Sequence, residues 1–221
     1  MESSKRNGQF GFSLIELMIT MTIMLIMMGL AGTLFSKSMS VRARESRTTD
    51  ALTSAYAALN VMSREIGNGG FGLVNPTTGL ATNGIVLADS NATQIHIRSN
   101  FTNVVPYSDP NAPGQTNDPG EDVTYYFEPT TKSIVRYDPH STPTTSVIVN
   151  KISNVTFKYF DYVTSGSAGA DMGGTPSAAT GRILITVTVD LDPVNGQPNP
   201  EAITFSSEVN MRNSNYMLQQ Y

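Results

Sequence analysis

Three regimes of apolar spacing follow one another along the chain. From Leu17 to Phe35, 19 residues carry no formal charge and are mainly Leu, Ile and Met. Further on, Leu52, Ala55, Tyr56, Leu59, Met62 and Ile66 recur mostly at spacings of three and four, opposite Asp50, Asn60 and Arg64. Beyond Gly70 the period drops to two, and turn residues break it at intervals. Spacings of three and four mark one face of a helix, and a period of two marks a strand with one buried and one wet side.

The first two regimes belong to one helix. No proline occurs before Pro76, so the pattern predicts a continuous helix from about Phe12 to Ile66. Gly67-Asn68-Gly69-Gly70 supplies the stop. The uncharged part is about 29 Å long at helical rise, close to the hydrocarbon thickness of a bilayer. An ordinary signal peptide has a shorter apolar region and a small-residue cleavage site. Gly29 and Gly32 interrupt the apolar helix. They suit either close packing through small residues or a point where the helix unwinds.

The third regime predicts strands at 84–88, 93–99, 122–128, 133–137, 145–150, 154–162, 182–191 and 202–211. Ile95/Ile97, Val155/Phe157/Tyr159 and Ile183/Ile185/Val187/Val189 alternate strictly, as in antiparallel sheets packed on one face. Pro-, Gly-, Asn- and Asp-rich loops fall at 106–121, 138–144, 164–181 and 192–200. The expected fold is α+β, with a long N-terminal helix, half transmembrane and half amphipathic, packed on an antiparallel sheet. Leu52, Tyr56, Leu59 and Ile66 are expected to bury against the strands near 154–160 and 182–190.

One residue conflicts with a plain membrane anchor. Glu16 stands at the mouth of the apolar run, and a carboxylate at mid-bilayer costs about 2.5–3.5 kcal/mol or more. The flanks conflict as well. Lys5 and Arg6 precede the run, whereas Lys37, Arg42, Arg44 and Arg47 follow it, so charge alone does not place the N-terminus inside.

The stretch Gly11-Phe12-Ser13-Leu14-Ile15-Glu16-Leu17, after a basic leader, resembles the processing signal of type IV prepilins and type II secretion pseudopilins. The resemblance implies cleavage between Gly11 and Phe12 by a prepilin peptidase, N-methylation of Phe12, and pairing of Glu16 with the N-terminal amine of a neighbouring subunit. It divides the chain into a leader (1–11), a transmembrane and assembly helix (12–35), the amphipathic half of the stalk (36–66) and a β-rich head (67–221). The segments ISNVTFKYFD, RILITVTVDL and ITFSSEVNMRN are similar to those of PilW-type minor pilins and PulJ-type pseudopilins. On that likeness the chain is a structural minor pilin that primes assembly of a type IV pilus, and not an enzyme. The implied partners are the peptidase and methyltransferase, other pilins or pseudopilins, an inner-membrane assembly platform and the bilayer. The implied location is the inner membrane, single-pass with the head outside the cytoplasm, and then the filament. A PulJ-type secretion pseudopilin and a membrane-anchored binding domain with an uncleaved anchor are the alternatives.

Composition narrows the rest. The chain has 221 residues, net charge −4 and no cysteine, so neither disulfides nor thiolate chemistry is available. Residues 37–66 carry five basic and three acidic side chains, and residues 67–221 carry seven and thirteen, so a basic stalk joins an acidic head. That balance gives no electrostatic case for nucleic acid. The two histidines, His96 and His140, have no ligand-spaced partner and read as ordinary sheet and turn residues. Asn68-Gly69-Gly70-Phe71-Gly72 follows a helix and is not a phosphate loop. Asp171, Asp190 and Asp192 match no calcium-loop spacing, and no cofactor is called for. Asn-x-Thr sequences such as Asn91-Ala92-Thr93 are expected to be incidental if the source is bacterial.

Overall fold

The computed structural model describes residues 12–102, 116–162, 168–191 and 202–218. The leader with Gly11, the loop 192–200, and parts of the loops at 106–121 and 164–181 lie outside the described residues. Helix α1 runs Leu14–Gly67 without a break. It begins where the Ser13 carbonyl accepts the N–H groups of Glu16 and Leu17 at 3.0 and 3.1 Å. It closes with Asn68 N–H on the Glu65 carbonyl and Gly69 N–H on the Ile66 carbonyl, at 3.1 and 3.0 Å. Gly70 then turns the chain at φ +78°, where a Cβ would stand 2.0 Å from the Thr82 carbonyl oxygen. Only glycine fits that position.

The chain divides into two compact units within α1, the first ending at Ser46 and the second beginning at Arg47. In the first, every described residue from Phe12 to Met39 is exposed. Its best 18-residue window has a mean hydropathy of 2.2, so the helix is long and apolar enough to cross a membrane. A soluble monomer rarely leaves so large an apolar surface uncovered.

The second unit holds two antiparallel sheets. Strands β1 (Gln94–Arg98), β2 (Asp122–Glu128), β3 (Ser133–Tyr137) and β4 (Thr145–Asn150) pair in chain order. Strands β5 (Ile152–Asp161), β6 (Ala170–Gly173), β7 (Thr180–Asp190) and β8 (Ala202–Asn210) form the other sheet in the order β6-β5-β7-β8. A short helix, α2 (Asn215–Leu218), follows. The α+β class is as the sequence pattern implies, but the strands form two sheets of four where one sheet was expected. Alternation gives each strand's faces, not which strands share a ladder.

Two local expectations are corrected. Residues 84–88 are not a strand: Gly84 and Val86 bond to Arg98 and His96 of β1 through the backbone, and then Leu87–Asp89 wind into a 3-10 turn. Gly84, at φ +72°, lies so near Gly70 that a Cβ would come within 2.1 Å of the Gly70 nitrogen. Strand β6 lies inside what reads as a loop, because Asp171 and Gly173 carry little strand preference of their own.

The core of this unit joins α1 to both sheets. Ala55, Ala58, Leu59, Met62 and Ile66 cluster with Ile95 and Tyr125 of the first sheet and with Val155, Phe157, Ile183 and Ile185 of the second. Leu59 and Ile66 are buried as expected, but Leu52 and Tyr56 are 36 % and 57 % exposed. The stripe centres on Ala55, Met62 and Ile66. At about 100° per residue, Leu52 is turned about 60° off that line and Tyr56 about 100°. Tyr56 instead meets the Phe205 ring of β8 at 5.6 Å between centroids. Small alanines occupy the stripe, where they permit close approach of helix and sheet.

Leu59→Ala is expected to lower the stability of a fragment starting at residue 36 by about 2–5 kcal/mol, as other buried large-to-small changes do. Tyr56→Ala should cost clearly less. Urea unfolding of the two variants checks this, and equal midpoints would remove Leu59 from the core.

Candidate processing and assembly site

The residues singled out by the sequence stand at the start of α1. Gly11 lies outside the described residues. Phe12 is 81 % exposed and precedes the first helical residue, Leu14, by two positions. Glu16 is the acidic residue of the first turn, and it is exposed. The first turn of a helix presents N–H groups that it cannot bond internally, and a carboxylate there meets the positive end of the helix dipole. Glu16 therefore sits where its own helix favours a negative charge. Four residues separate it from Phe12. Gly29 and Gly32 meet nothing within 4 Å, so the single chain leaves both readings of these glycines open.

Elsewhere the structure gathers titratable groups that sequence spacing did not connect. Glu65, near the end of α1, accepts the Tyr125 hydroxyl at 2.6 Å and Arg136 Nε at 3.0 Å. Arg136 also reaches Asp138 at 3.3 Å. Glu65 thus ties the helix to β2 and β3. His96 reads from the sequence as an ordinary sheet residue, and it stands in β1 as such, with carboxylate partners that spacing along the chain did not connect. Its ring nitrogens face Asp89 Oδ2, at 3.0 Å, and Asp122 Oδ1. Asp122 in turn takes Arg98 Nε at 3.0 Å. The partners come from β1, β2 and the 3-10 turn, brought together by the β1–β2 register and by the backbone bond from Val86 to His96 that precedes the turn. Spacing along the chain carries no signal for this. His140 is exposed in a turn, where its backbone N–H reaches Asp138 at 3.0 Å. Asp171 pairs with Lys158 at 2.7 Å, and that pair holds its carboxyl below the usual range. Among the described residues no group of three His, Cys, Asp or Glu side chains could hold a metal ion.

With this geometry in place, comparison with known proteins gives one positive result. Residues 6–32 match the family model described as the prokaryotic N-terminal methylation motif. No curated protein and no solved structure matches the chain. The motif covers Phe12, Glu16 and most of the apolar run. It supports a type IV pilin or a type II secretion pseudopilin, and it points to a structural pilin rather than an enzyme. It implies processing by a prepilin peptidase and assembly with pilins. The motif and the apolar helix together fit a membrane-anchored pilin.

The buried tyrosines yield a pH expectation. Burial raises Tyr125 above the ordinary tyrosine range, and the Glu65 charge raises it further. Burial alone raises Tyr159. Unfolded tyrosines ionise near pH 10, whereas this folded pair stays protonated beyond it. Their contribution to stability is therefore complete below about pH 10 and falls as pH rises above it. Among the nine tyrosines, these two should give phenolate absorbance only as the fold is lost. Titration of all nine near pH 10 with circular dichroism unchanged would contradict this.

Proposed function

We propose that the protein is a minor pilin of the PilW type, processed at the membrane and added to a type IV pilus whose assembly it primes. The observation that carries this is the conjunction at one helix start. The methylation motif, an exposed Glu16 in the first turn and a fully exposed apolar run occur together. In this reading residues 1–11 are removed, and the new amine on Phe12 is methylated. Gly11 suits cleavage because a side chain there would obstruct close approach of the peptidase to the backbone. The head stands outside the cytoplasm, on the far side of the inner membrane from the leader.

Glu16 then has a definite role. Before assembly it lies near the headgroups, where water solvates it. In the filament water is scarce, and an unpaired buried charge is expensive. The amine of a neighbouring subunit supplies the partner and so sets the axial position of each helix. Apolar packing along Leu17–Phe35 adds attraction but tolerates sliding.

Two outcomes are expected. Intact mass of the chain from its native membrane should show loss of residues 1–11 and gain of one methyl group. A chain that keeps its leader would favour an uncleaved anchor. Glu16→Gln should leave insertion and cleavage intact but reduce the amount recovered in sheared filaments about tenfold or more, because the charge-assisted bond is lost. Normal incorporation of a correctly processed variant would remove the pairing role. A chain found only with secretion components would indicate the pseudopilin instead.

A further inference from the structure

Three Asn-x-Thr sequences with a non-proline centre fall on described residues: Asn91-Ala92-Thr93, Asn100-Phe101-Thr102 and Asn154-Val155-Thr156. As sequence they are equivalent and read as incidental; the fold separates them and reopens the case for one. Asn100 is 5 % exposed, so its amide is out of reach. Asn154 is exposed but lies within β5, locked opposite Thr188 in the β5–β7 ladder. On a strand, side chains two residues apart stand about 6.5 Å apart and parallel, so the hydroxyl does not reach the amide. Asn91, Ala92 and Thr93 are all exposed, and they form a turn between the 3-10 turn at Leu87–Asp89 and β1.

That turn has a specific geometry. Asn91 Oδ1 accepts Thr93 N–H at 2.8 Å, Thr93 Oγ1–H at 3.1 Å and Gln94 N–H at 3.1 Å. The backbone behind it is fixed. Asn91 N–H bonds the Gln94 carbonyl at 2.8 Å, Phe157 N–H bonds the Ala92 carbonyl at 2.7 Å, and the Tyr159 hydroxyl bonds the Asn91 carbonyl at 2.9 Å. The two β5 residues hold the turn from below, and the Asn91 side chain stands on the outside.

We propose that Asn91 is an N-glycosylation site whose co-reactant is a saccharide activated by a diphosphate, presented at the outer face of the membrane. The proposal rests on the reading that places the head outside the cytoplasm. A carboxamide nitrogen is a poor nucleophile because its lone pair is shared with the carbonyl. As a base removes a proton from Nδ2, negative charge builds on Oδ1, and three donors already point at that oxygen. Nδ2 then bonds to the anomeric carbon of the sugar. The bond from that carbon to the phosphate oxygen breaks, and its electron pair leaves with the diphosphate. The proton from Nδ2 goes to the base, and no oxidant or reductant is needed. Thr93 is the second half of the site, since its hydroxyl and its N–H supply two of the three donors. The product places a bulky hydrophilic group on the surface of the head.

Trypsin separates the three sequences, because Arg64, Arg98, Lys132, Lys151 and Lys158 place them in peptides 65–98, 99–132 and 152–158. The test is peptide and intact mass of the chain purified from its native host. The expected result is a saccharide increment on peptide 65–98, mapped to Asn91, with none on the other two. Asn91→Gln and Thr93→Ala should each lose the increment, and Thr93→Ser should keep it. A bare Asn91 in a chain that has lost residues 1–11 overturns the proposal while leaving the pilin reading intact. An increment on a chain that keeps its leader supports the glycan and overturns the pilin reading. An increment on Asn154 or Asn100 with Asn91 bare also overturns the proposal, because it denies the role given to the turn.

Discussion

The stripe of Ala55, Ala58, Leu59, Met62 and Ile66 is the contact around which the second unit is organised. Neither sheet can bury its apolar face alone. The inner residues of β5 and β7, such as Phe157 and Ile185, share one cluster with Ile95 and Tyr125 of the other sheet and with the helix. A four-strand sheet with one apolar face needs a cover, and an amphipathic helix with small residues on its stripe can approach closely enough to be one. The Glu65–Tyr125–Arg136 bonds then fix the helix against β2 and β3, with Arg136 held further by Asp138. An apolar stripe gives attraction without a unique position, and these charged bonds supply the position.

The same helix is built differently at its other end. From Leu17 to Phe35 it is apolar on every side, and each of these residues is exposed. Such a surface is stable in lipid or among like helices, and poorly so in water. Glu16 is the one charged residue from Phe12 to Phe35, and it occupies the turn where the helix dipole favours it. The proposed role extends that logic to a second positive group, the amine freed at Phe12. Each half of α1 thus combines abundant apolar contact with a few polar groups that decide alignment.

Much of this was legible in the sequence. The helix is visible because an uncharged apolar run leads into a stripe at spacings of three and four, and no proline interrupts either. Strands β1, β2, β3, β4, β5, β7 and β8 fall close to where the sequence pattern puts them, and in β5 and β7 the alternation is seen directly as every second residue buried. Strand β6 was not legible, because Ala170–Gly173 is short and exposed and depends on β5 for its conformation. The partition into two sheets was not legible either, since pairing is a long-range property. Tyr56 misled the reading of the stripe because an aromatic at roughly helical spacing looks like core, yet the alanine beside it faces the sheets. At the site, the motif around Phe12 and Glu16 is local and therefore readable. The partners of His96 and the contrast between Asn91 and Asn154 are set by register and turn geometry, which spacing does not encode.

Hydrogen exchange of the full chain in a bilayer mimetic tests the central claim most directly, that the second half of α1 is a core element of the head. The account predicts that amides from Ala55 to Ile66 exchange as slowly as those of β5 and β7, and that all three accelerate together under mild denaturant. Independent, faster exchange of Ala55–Ile66 while β5 and β7 stay protected would contradict it.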